Sequence, residues 1–234
     1  NPMYRPKHLT PDEIREGCIN LAHGDEQETR ICVINEEFRQ GFNFITTYEK
    51  SVSFFGSART EEGDEHYEQA RRLGERVAKE LGYAVVTGGG PGIMEAGNRG
   101  AFEAGGKSIG LTIQLPMEQS TNKYVTAENP FYFFFSRKVA LAYAAEAYLY
   151  FPGGFGTLDE LFEILTLIQT GKIENVPVVL VGSDFWKPLD AFIKQTLLAE
   201  HKTISPEDID LYTITDDEDL VIQIIKEAPI RKKA

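Results

Sequence analysis

The sequence has few cysteines, few histidines and no long apolar run, and each shortage argues against a class of protein. Two cysteines and four histidines occur among 234 residues, and the histidines lack the spacing of metal ligands. No apolar stretch approaches the ~20 residues that span a bilayer, and the N-terminus lacks the apolar core of a signal peptide. Because Cys18 and Cys32 fall in helical patterns, we expect two buried, unreactive thiols in a reduced, cytoplasmic protein.

Positive charge is also scarce. The formal net charge is −12, which disfavours nucleic acid as a partner because a phosphate backbone needs a broad basic surface. A small phosphate ligand needs only a local positive pocket and stays compatible with this charge. The basic tail Arg231-Lys232-Lys233 is expected to be a solvated chain end.

Several motifs of common enzymes are missing. Neither glycine cluster reads Gly-x-Gly-x-x-Gly, so a nicotinamide or flavin dinucleotide is not expected. There is no Gly-x-x-x-x-Gly-Lys-Ser/Thr loop. The one Gly-x-Ser-x-Gly string, at 106–110, runs into the predicted strand 108–113 and does not join a strand to a helix, so it is not a nucleophile elbow. We therefore expect no cofactor and no metal.

The first 50 residues predict an N-terminal helical extension. Thr10, Pro11 and Glu13 have the order of an N-cap, a first helical residue and the partner of a capping box. Gly24 marks the end of this helix, and apolar residues from Ile31 to Ile45 follow a 3.6-residue period in a second helix. We expect these helices to pack on the main domain or on a partner subunit.

From residue 51 to residue 234, strands and helices alternate. This order predicts an α/β, Rossmann-like, doubly wound parallel sheet with helices on both faces. Polar residues 114–129 are expected to form a loop near the site. The predicted strands are 51–55, 84–87, 108–113, 147–151, 176–181 and 211–214, and the predicted helices are 67–81, 93–104, 131–145, 158–170, 185–198 and 219–226.

Two glycine-rich turns each join a predicted strand to a predicted helix. Segment 88–92 follows the strand 84–87, and segment 152–157 follows the strand 147–151. Glycines expose backbone N–H groups, and a helix N-terminus adds partial positive charge, so both turns suit a phosphate. With a helix starting near Leu158, Asp159 and Glu160 are expected in its first turn beside the phosphate.

The fold predicts that these turns meet. Ligands of open parallel sheets bind outside the carboxyl ends of the strands, where Gly56-Ser57, Leu115-Pro116 and the two glycine turns are expected. The sequence therefore predicts one nucleotide-sized site.

The two glycine-rich segments, extended into their helices, resemble the Lonely Guy family of nucleoside 5′-monophosphate phosphoribohydrolases. The resemblance covers about residues 50–200, and many relatives have been labelled lysine decarboxylases. The second segment matches every fixed position of the family pattern Pro-Gly-Gly-x-Gly-Thr-x-x-Glu. The matching segments are Gly88-Gly89-Gly90-Pro91-Gly92-Ile93-Met94-Glu95-Ala96 and Pro152-Gly153-Gly154-Phe155-Gly156-Thr157-Leu158-Asp159-Glu160.

The resemblance implies an enzyme that cleaves the N-glycosidic bond of a nucleotide such as AMP, and that forms a homodimer. It implies that Glu160 is the catalytic glutamate and Arg137 the arginine of the family's Arg-Lys element. Plant members, which activate cytokinins, read Met-His-x-Arg-Lys where this chain reads Phe134-Phe135-Ser136-Arg137-Lys138. That difference leaves the preference for cytokinin nucleotides open. A decarboxylase with pyridoxal phosphate is disfavoured, since the Ser-x-His-Lys context is missing.

Each candidate site residue also has a structural interpretation. Glu160 is expected to stabilise an oxocarbenium-like sugar or to orient water, but it also has capping-box spacing from Thr157. Arg137 suits bidentate phosphate contact or a surface ion pair, and Lys138 is a weaker candidate for the same role. Ser57 is a candidate hydrogen-bond donor to phosphate or ribose, and its structural alternative is a plain turn residue. Glu95 is a candidate for contact with the ribose hydroxyls, and its structural alternative is a carboxylate that complements the dipole of its own helix.

The remaining candidates are the backbone of the two turns and an aromatic run. One ring of the run 131–135 is a candidate for stacking on the base, the alternatives being core or subunit interface. Asn98 and Arg99 are interpreted as structural. A non-catalytic nucleotide sensor and an enzyme acting on another phosphorylated metabolite stay open. The nucleotide-binding candidates in the turns are Gly88, Gly89, Gly90, Gly92, Gly153, Gly154, Gly156 and Thr157.

Overall fold

The computed structural model describes residues 9–114 and 121–231. Seven strands form one parallel sheet in the order β4-β3-β2-β1-β5-β6-β7. The predicted α/β, doubly wound architecture is confirmed. In the described ranges, no helix combines the length and the apolar character needed to cross a bilayer.

The strands are β1 Ser51–Phe55, β2 Ala84–Thr87, β3 Ser108–Ile113, β4 Ala127–Phe131, β5 Ala147–Tyr150, β6 Val178–Leu180 and β7 Thr213–Ile214. The α-helices are α1 Pro11–Leu21, α2 Glu26–Ile45, α3 Glu65–Leu81, α4 Ile93–Glu103, α5 Phe134–Tyr143, α6 Phe155–Gln169, α7 Ser183–Phe192 and α8 Glu218–Glu227. A π-helix, Ile193–Glu200, continues α7, and a 3-10 helix spans Pro206–Asp210.

Each face of the sheet is covered by its own apolar core. Alternate side chains of a strand point to opposite faces, so Val52 and Phe54 of β1 pack on one side and Phe55 on the other. Helices α3, α4 and α8 cover the first face, and α2, α5, α6 and α7 cover the second. Because the central strands are buried on both faces, their sequences are almost continuously apolar.

The first N-terminal helix begins as predicted, but the prediction for the cysteines is wrong. Thr10 and Glu13 form the expected capping box at the start of α1. Cys18 of α1 and Cys32 of α2 are joined by a disulfide instead of being two free thiols. Two helices joined by a short turn run side by side, which brings positions on either side of the turn together. The cysteines therefore give no support to a reducing compartment.

The polar segment before α5 contains a strand that the sequence analysis missed. Residues 127–131, predicted as loop and helix start, form the edge strand β4, so α5 begins only at Phe134. Glu128, Asn129 and Pro130 are poor strand formers, and proline is tolerated at a sheet edge because a ladder N–H is not needed there. The predicted turn Leu115-Pro116 lies outside the described residues.

Arg231 contradicts the prediction of a solvated tail. Its side chain is 3% exposed, and Nη1 donates to the carbonyl oxygens of Ala142 (3.2 Å) and Ala145 (2.9 Å) and to the Tyr148 hydroxyl (3.0 Å). Nε donates to Glu174 at 3.2 Å. The carbonyls in the last turn of α5 and just after it need donors, and Arg231 supplies them to Ala142 and Ala145. Lys232 and Lys233 lie outside the described residues.

We expect Arg231→Met to lower the free energy of unfolding by roughly 2–3 kcal/mol, because buried acceptors lose charged donors. Urea denaturation of both proteins measures the difference, and Arg39→Met, whose wild-type side chain is 67% exposed, is the control. A change no larger than that of the control would contradict the assigned role of Arg231.

Candidate functional site

The predicted site loops meet at the point where the strand order reverses. The chain proceeds from β1 outward to β4 and then returns to β5 on the other side of β1. Such a switch point leaves a crevice at the carboxyl ends of the strands. There the Ser57 N–H donates to the Pro152 carbonyl oxygen at 2.9 Å, and the Ile93 N–H donates to the Ser57 carbonyl oxygen at 3.0 Å. Ser57 therefore joins both glycine turns through its backbone.

The first glycine turn, 88–92, is fixed from beneath by a buried polar network. The Thr87 hydroxyl donates to Asn98 Oδ1 at 2.6 Å, and the Gly89 N–H donates to Thr87 Oγ1 at 2.8 Å. Asn122 Nδ2 donates to the Gly90 carbonyl oxygen at 3.0 Å and also to Asn98 Oδ1. Asn98 is thus structural, as its position suggested. The network leaves little freedom to the turn, which suits a preorganised phosphate cradle.

Gly92 has a conformation that other residues rarely adopt, since its φ is 70°. A Cβ at this position would also lie 2.3 Å from the Ser57 carbonyl oxygen.

Glu95 lies in the first turn of α4, and its carboxylate accepts a hydrogen bond from the Tyr67 hydroxyl at 3.0 Å. Arg99, interpreted as structural, pairs with Glu62 and Glu103.

The second glycine turn enters its helix earlier than predicted. Helix α6 begins at Phe155 with Gly154 as N-cap, so Gly156 and Thr157 are helical and Glu160 is the sixth residue. Asp159 and Glu160 are therefore not in the first turn. Thr157 does not cap the helix, which makes the capping-box interpretation of Glu160 wrong. The N–H groups at the start of α6 remain available to an anion.

Helix α5 brings both predicted cations to these turns. Arg137 Nε donates to the Leu111 carbonyl oxygen at 2.7 Å, and its guanidinium lies over Gly88, where a Cβ would be 2.1 Å from Nη2. Lys138 Nζ lies 2.8 Å from Asp159 Oδ2 and 3.2 Å from Glu163 Oε2. Arg137 is thus directed to the first turn, whereas Lys138 is held by two carboxylates of α6.

Glu160 lies in an environment that disfavours its charge. Burial and the neighbouring Glu163 carboxylate raise the pKa of Glu160 from 4.5 to about 7, although Lys138 and Arg137 oppose this rise. Burial also lowers the pKa of Arg137, and Glu160 partly offsets that effect. The Tyr150 hydroxyl donates to the Glu160 backbone carbonyl oxygen at 3.2 Å. A carboxyl with a pKa near neutrality can accept and return a proton.

The aromatic run 131–135 is divided between core and surface. Phe131 is fully buried, whereas Phe134 and Phe135 are 59% and 47% exposed. Phe155 of the second turn is 94% exposed. The exposed rings surround the start of α5 and α6, so they are available either to a nucleobase or to another protein.

Two cavities border this region. One of about 340 Å³ lies against Gly88, Gly89 and Gly90 and is also walled by Thr10, Pro11 and Asp12 of the N-terminal extension. A second, of about 460 Å³, lies between α1, α2 and the turn before α5 and is lined by Tyr132 and Phe133 of the aromatic run but by neither glycine turn. In the described part of the chain, no three side chains of His, Cys, Asp and Glu are grouped as metal ligands.

The structure thus joins the two glycine turns through the backbone of Ser57 and couples Arg137, Lys138 and Glu160 electrostatically. Sequence reasoning missed Tyr150, Glu163 and Asp12. Glu163 follows Glu160 by three residues on α6, a spacing that places both carboxyls on one helix face. Asp12 belongs to the predicted extension, whose sequence indicates packing and not a role in the site, and Tyr150 lies in the predicted strand 147–151, where an apolar pattern indicates core.

The fold and the site define an α/β protein whose glycine turns and coupled carboxylate lie at the switch point of a parallel sheet. A family model described as "Possible lysine decarboxylase" matches residues 94–225, and the chain belongs to this family.

Curated relatives match over shorter stretches. A probable cytokinin riboside 5′-monophosphate phosphoribohydrolase of Oryza sativa subsp. japonica is 41% identical over 71 residues, 30% of this chain and 32% of that protein. A cytokinin riboside 5′-monophosphate phosphoribohydrolase of Rhodococcoides fascians is 37% identical over 59 residues, 25% of this chain and 29% of that protein. The aligned part of the chain thus spans about a third of the length of these relatives.

Solved structures support the fold. The molybdenum cofactor binding protein of Rippkaea orientalis superposes with a TM-score of 0.55 over 75% of this chain and 93% of that one. The sequence identity is 22%, so this likeness concerns the fold alone.

Proposed function

We propose that the protein hydrolyses the N-glycosidic bond of a nucleoside 5′-monophosphate such as AMP, releasing the free base and ribose 5-phosphate. The observation that carries this proposal is the buried Glu160 carboxyl, which lies beside Arg137 and Lys138 on a helix whose N-terminus suits a phosphate, and whose pKa is raised to about 7. The names of the matched relatives point to the same reaction. No cofactor is required for it.

In the proposed reaction a water oxygen bonds to C1′ of the ribose while the bond from C1′ to the base nitrogen breaks. The electron pair of that bond goes to the base. Ionised Glu160 stabilises the positive charge that develops on the sugar and takes a proton from the water, which is then available to the leaving base. Arg137 binds the phosphate or the departing base.

The glycine turns bind the nucleotide in this proposal. The start of α6, with Gly153, Gly154, Gly156 and Thr157, and the segment Gly88–Gly92 offer two anion cradles. We assign the contacts with the ribose hydroxyls to Ser57, which is joined to both turns, and to Glu95, in the first turn of α4. Lys138 is already paired with Asp159 and Glu163, so we assign it to tuning the Glu160 pKa.

We further propose a homodimer, because Phe134, Phe135, Phe155 and Phe162 leave large exposed apolar surface near the site. Sedimentation equilibrium checks this assembly, and a monomer at micromolar concentration would contradict it.

We also propose that the chain is divided into an N-terminal extension, 1–50, and a nucleotide-binding domain, 51–234.

Activity should decrease at acidic pH, because the proposed reaction needs ionised Glu160. Its raised pKa predicts that kcat/KM is constant well above pH 7 and falls about tenfold per pH unit well below it. A profile of kcat/KM for AMP against pH measures this decrease. A decrease that begins only near the ordinary carboxyl pKa of 4.5 would contradict the proposed environment of Glu160.

The proposal is tested with a panel of substrates. Purified protein is incubated with AMP, GMP, CMP and an isopentenyl-adenine nucleotide, with adenosine as the control that lacks phosphate, and the products are separated by chromatography. We expect free base from nucleotides but not from adenosine. Saturable binding of AMP without cleavage would instead support a nucleotide sensor.

A further inference from the structure

A buried carboxylate from the N-terminal extension contacts the helix that carries Arg137 and Lys138. Glu37 of α2 is 1% exposed. Its Oε1 accepts a short hydrogen bond from the Tyr132 N–H, and its Oε2 accepts one from the Phe133 N–H at 3.4 Å. Burying a carboxylate is costly unless donors compensate it, and both donors here lie at the start of α5.

Helix α5 has no side-chain cap of its own. Its N-cap residue, Phe133, makes no capping hydrogen bond through its side chain. The N-terminus of a helix has unpaired N–H groups and attracts negative charge. Glu37 supplies both the acceptor and the charge from 96 residues away in the sequence.

Helix α2 also approaches β4 and α5 without a side chain in between. A Cβ at Gly41, one turn after Glu37, would lie 2.9 Å from the Phe131 ring and 3.6 Å from Ala140 Cβ. The Glu37 hydrogen bonds hold the start of α5, and the close packing at Gly41 holds Phe131 before the helix and Ala140 in its second half. The position of Arg137 over Gly88, and of Lys138 beside Asp159, therefore depends on α2.

We propose that Glu37 is a positioning residue, which holds α5 so that Arg137 and Lys138 face Glu160. The N-terminal extension then contributes to the site by holding α5 in position. This inference rests on the proposed function for its effect on turnover, but its effect on the electrostatics of Glu160 is independent of turnover.

The charges around Glu160 predict the direction in which its pKa changes if Glu37 positions α5. Glu160 faces Glu163 and Asp159 from α6, Arg137 and Lys138 from α5, and Tyr150 from β5. The two cations lower its pKa. If α5 moves, their effect weakens and the pKa of Glu160 rises. Loss of the Glu37 charge alone would act in the opposite direction, because removing a negative charge favours ionisation of Glu160.

The test compares Glu37→Leu and Glu37→Gln with wild type, with Glu36→Gln on the same helix as control. Carboxyl ¹³C NMR titration of the protein without nucleotide measures the pKa of Glu160 directly, and kcat/KM for AMP is measured in parallel. We expect Glu37→Leu to raise the Glu160 pKa and to lower kcat/KM by roughly ten- to a hundredfold. Glu37→Gln keeps an acceptor oxygen and should restore most of both values.

An unchanged or lowered Glu160 pKa in folded Glu37→Leu would overturn the positioning role. If Glu37→Leu does not fold, Glu37→Asp decides, because it keeps the charge but withdraws the carboxylate from both N–H groups. A raised Glu160 pKa in Glu37→Asp supports the role, and an unchanged or lowered value overturns it. If wild type cleaves no nucleotide, the proposed function fails, and the titration alone still decides the role of Glu37.

Discussion

Glu160→Gln is expected to lower kcat/KM for AMP by roughly 10²–10⁴-fold, the range typical of losing a general base. The amide cannot take a proton from water and carries no charge to stabilise the sugar cation. The same substitution is expected to raise Tm at pH 8, because the folded protein no longer holds an ionised carboxylate where burial disfavours it. Steady-state kinetics and calorimetry measure the two effects.

The stability effect has a defined dependence on pH. The folded-state pKa of Glu160, about 7, exceeds the ordinary value of 4.5, so the folded state holds this proton more tightly than the unfolded state. Wild type therefore loses stability relative to Glu160→Gln as pH rises from about 4.5 to about 7, by roughly 1–3 kcal/mol in total. Glu49→Gln, at an exposed position, is the control. Equal turnover by Glu160→Gln and wild type would rule out the proposed role of Glu160 in the reaction.

Gly88→Ala is expected to reduce kcat/KM by roughly a hundredfold without unfolding the protein, a loss that a misplacement of about 1 Å can cause. The added methyl carbon would lie 2.1 Å from Arg137 Nη2 and 2.9 Å from Met94 Sδ. Both are ends of flexible side chains, so they move and the backbone stays. The guanidinium then leaves the position over the glycine turn where it is proposed to bind the substrate.

A double-mutant cycle with Arg137→Met tests this explanation. If Gly88→Ala acts by displacing Arg137, the double variant should be about as active as Arg137→Met alone, since coupled substitutions are not additive. Gly17→Ala in α1, where an added Cβ meets nothing within 4 Å, is the control and should keep full activity. Fully additive losses would show that Gly88 acts independently of Arg137.

The fold could be predicted because its signals are local. The alternation of apolar strands and amphipathic helices sets the parallel sheet, and glycines mark the turns at the site. Strand β4 was missed because pairing at the sheet edge, rather than propensity, makes residues 127–131 extended. The start of α6 was placed late because Gly156, a poor helix former, lies inside its first turn.

The missed parts of the site depend on contacts between distant segments. Glu37 lies on the buried stripe of α2 with Val33, Gly41 and Phe44, so the periodicity contained a signal: an acidic residue at a core position. Its partners at the start of α5 are nearly a hundred residues away and have no sequence signature. The Cys18–Cys32 disulfide and the burial of Arg231 likewise depend on packing that a single sequence does not specify.

Glu160 and its surroundings are proposed to cleave a nucleotide at the glycosidic bond. The most direct measurement follows adenine and ribose 5-phosphate together after AMP is mixed with wild type or with Glu160→Gln. We predict that wild type releases both products in equal amounts and that Glu160→Gln releases almost none. Intact AMP after prolonged incubation with folded wild type, or equal product from the two proteins, would contradict the account.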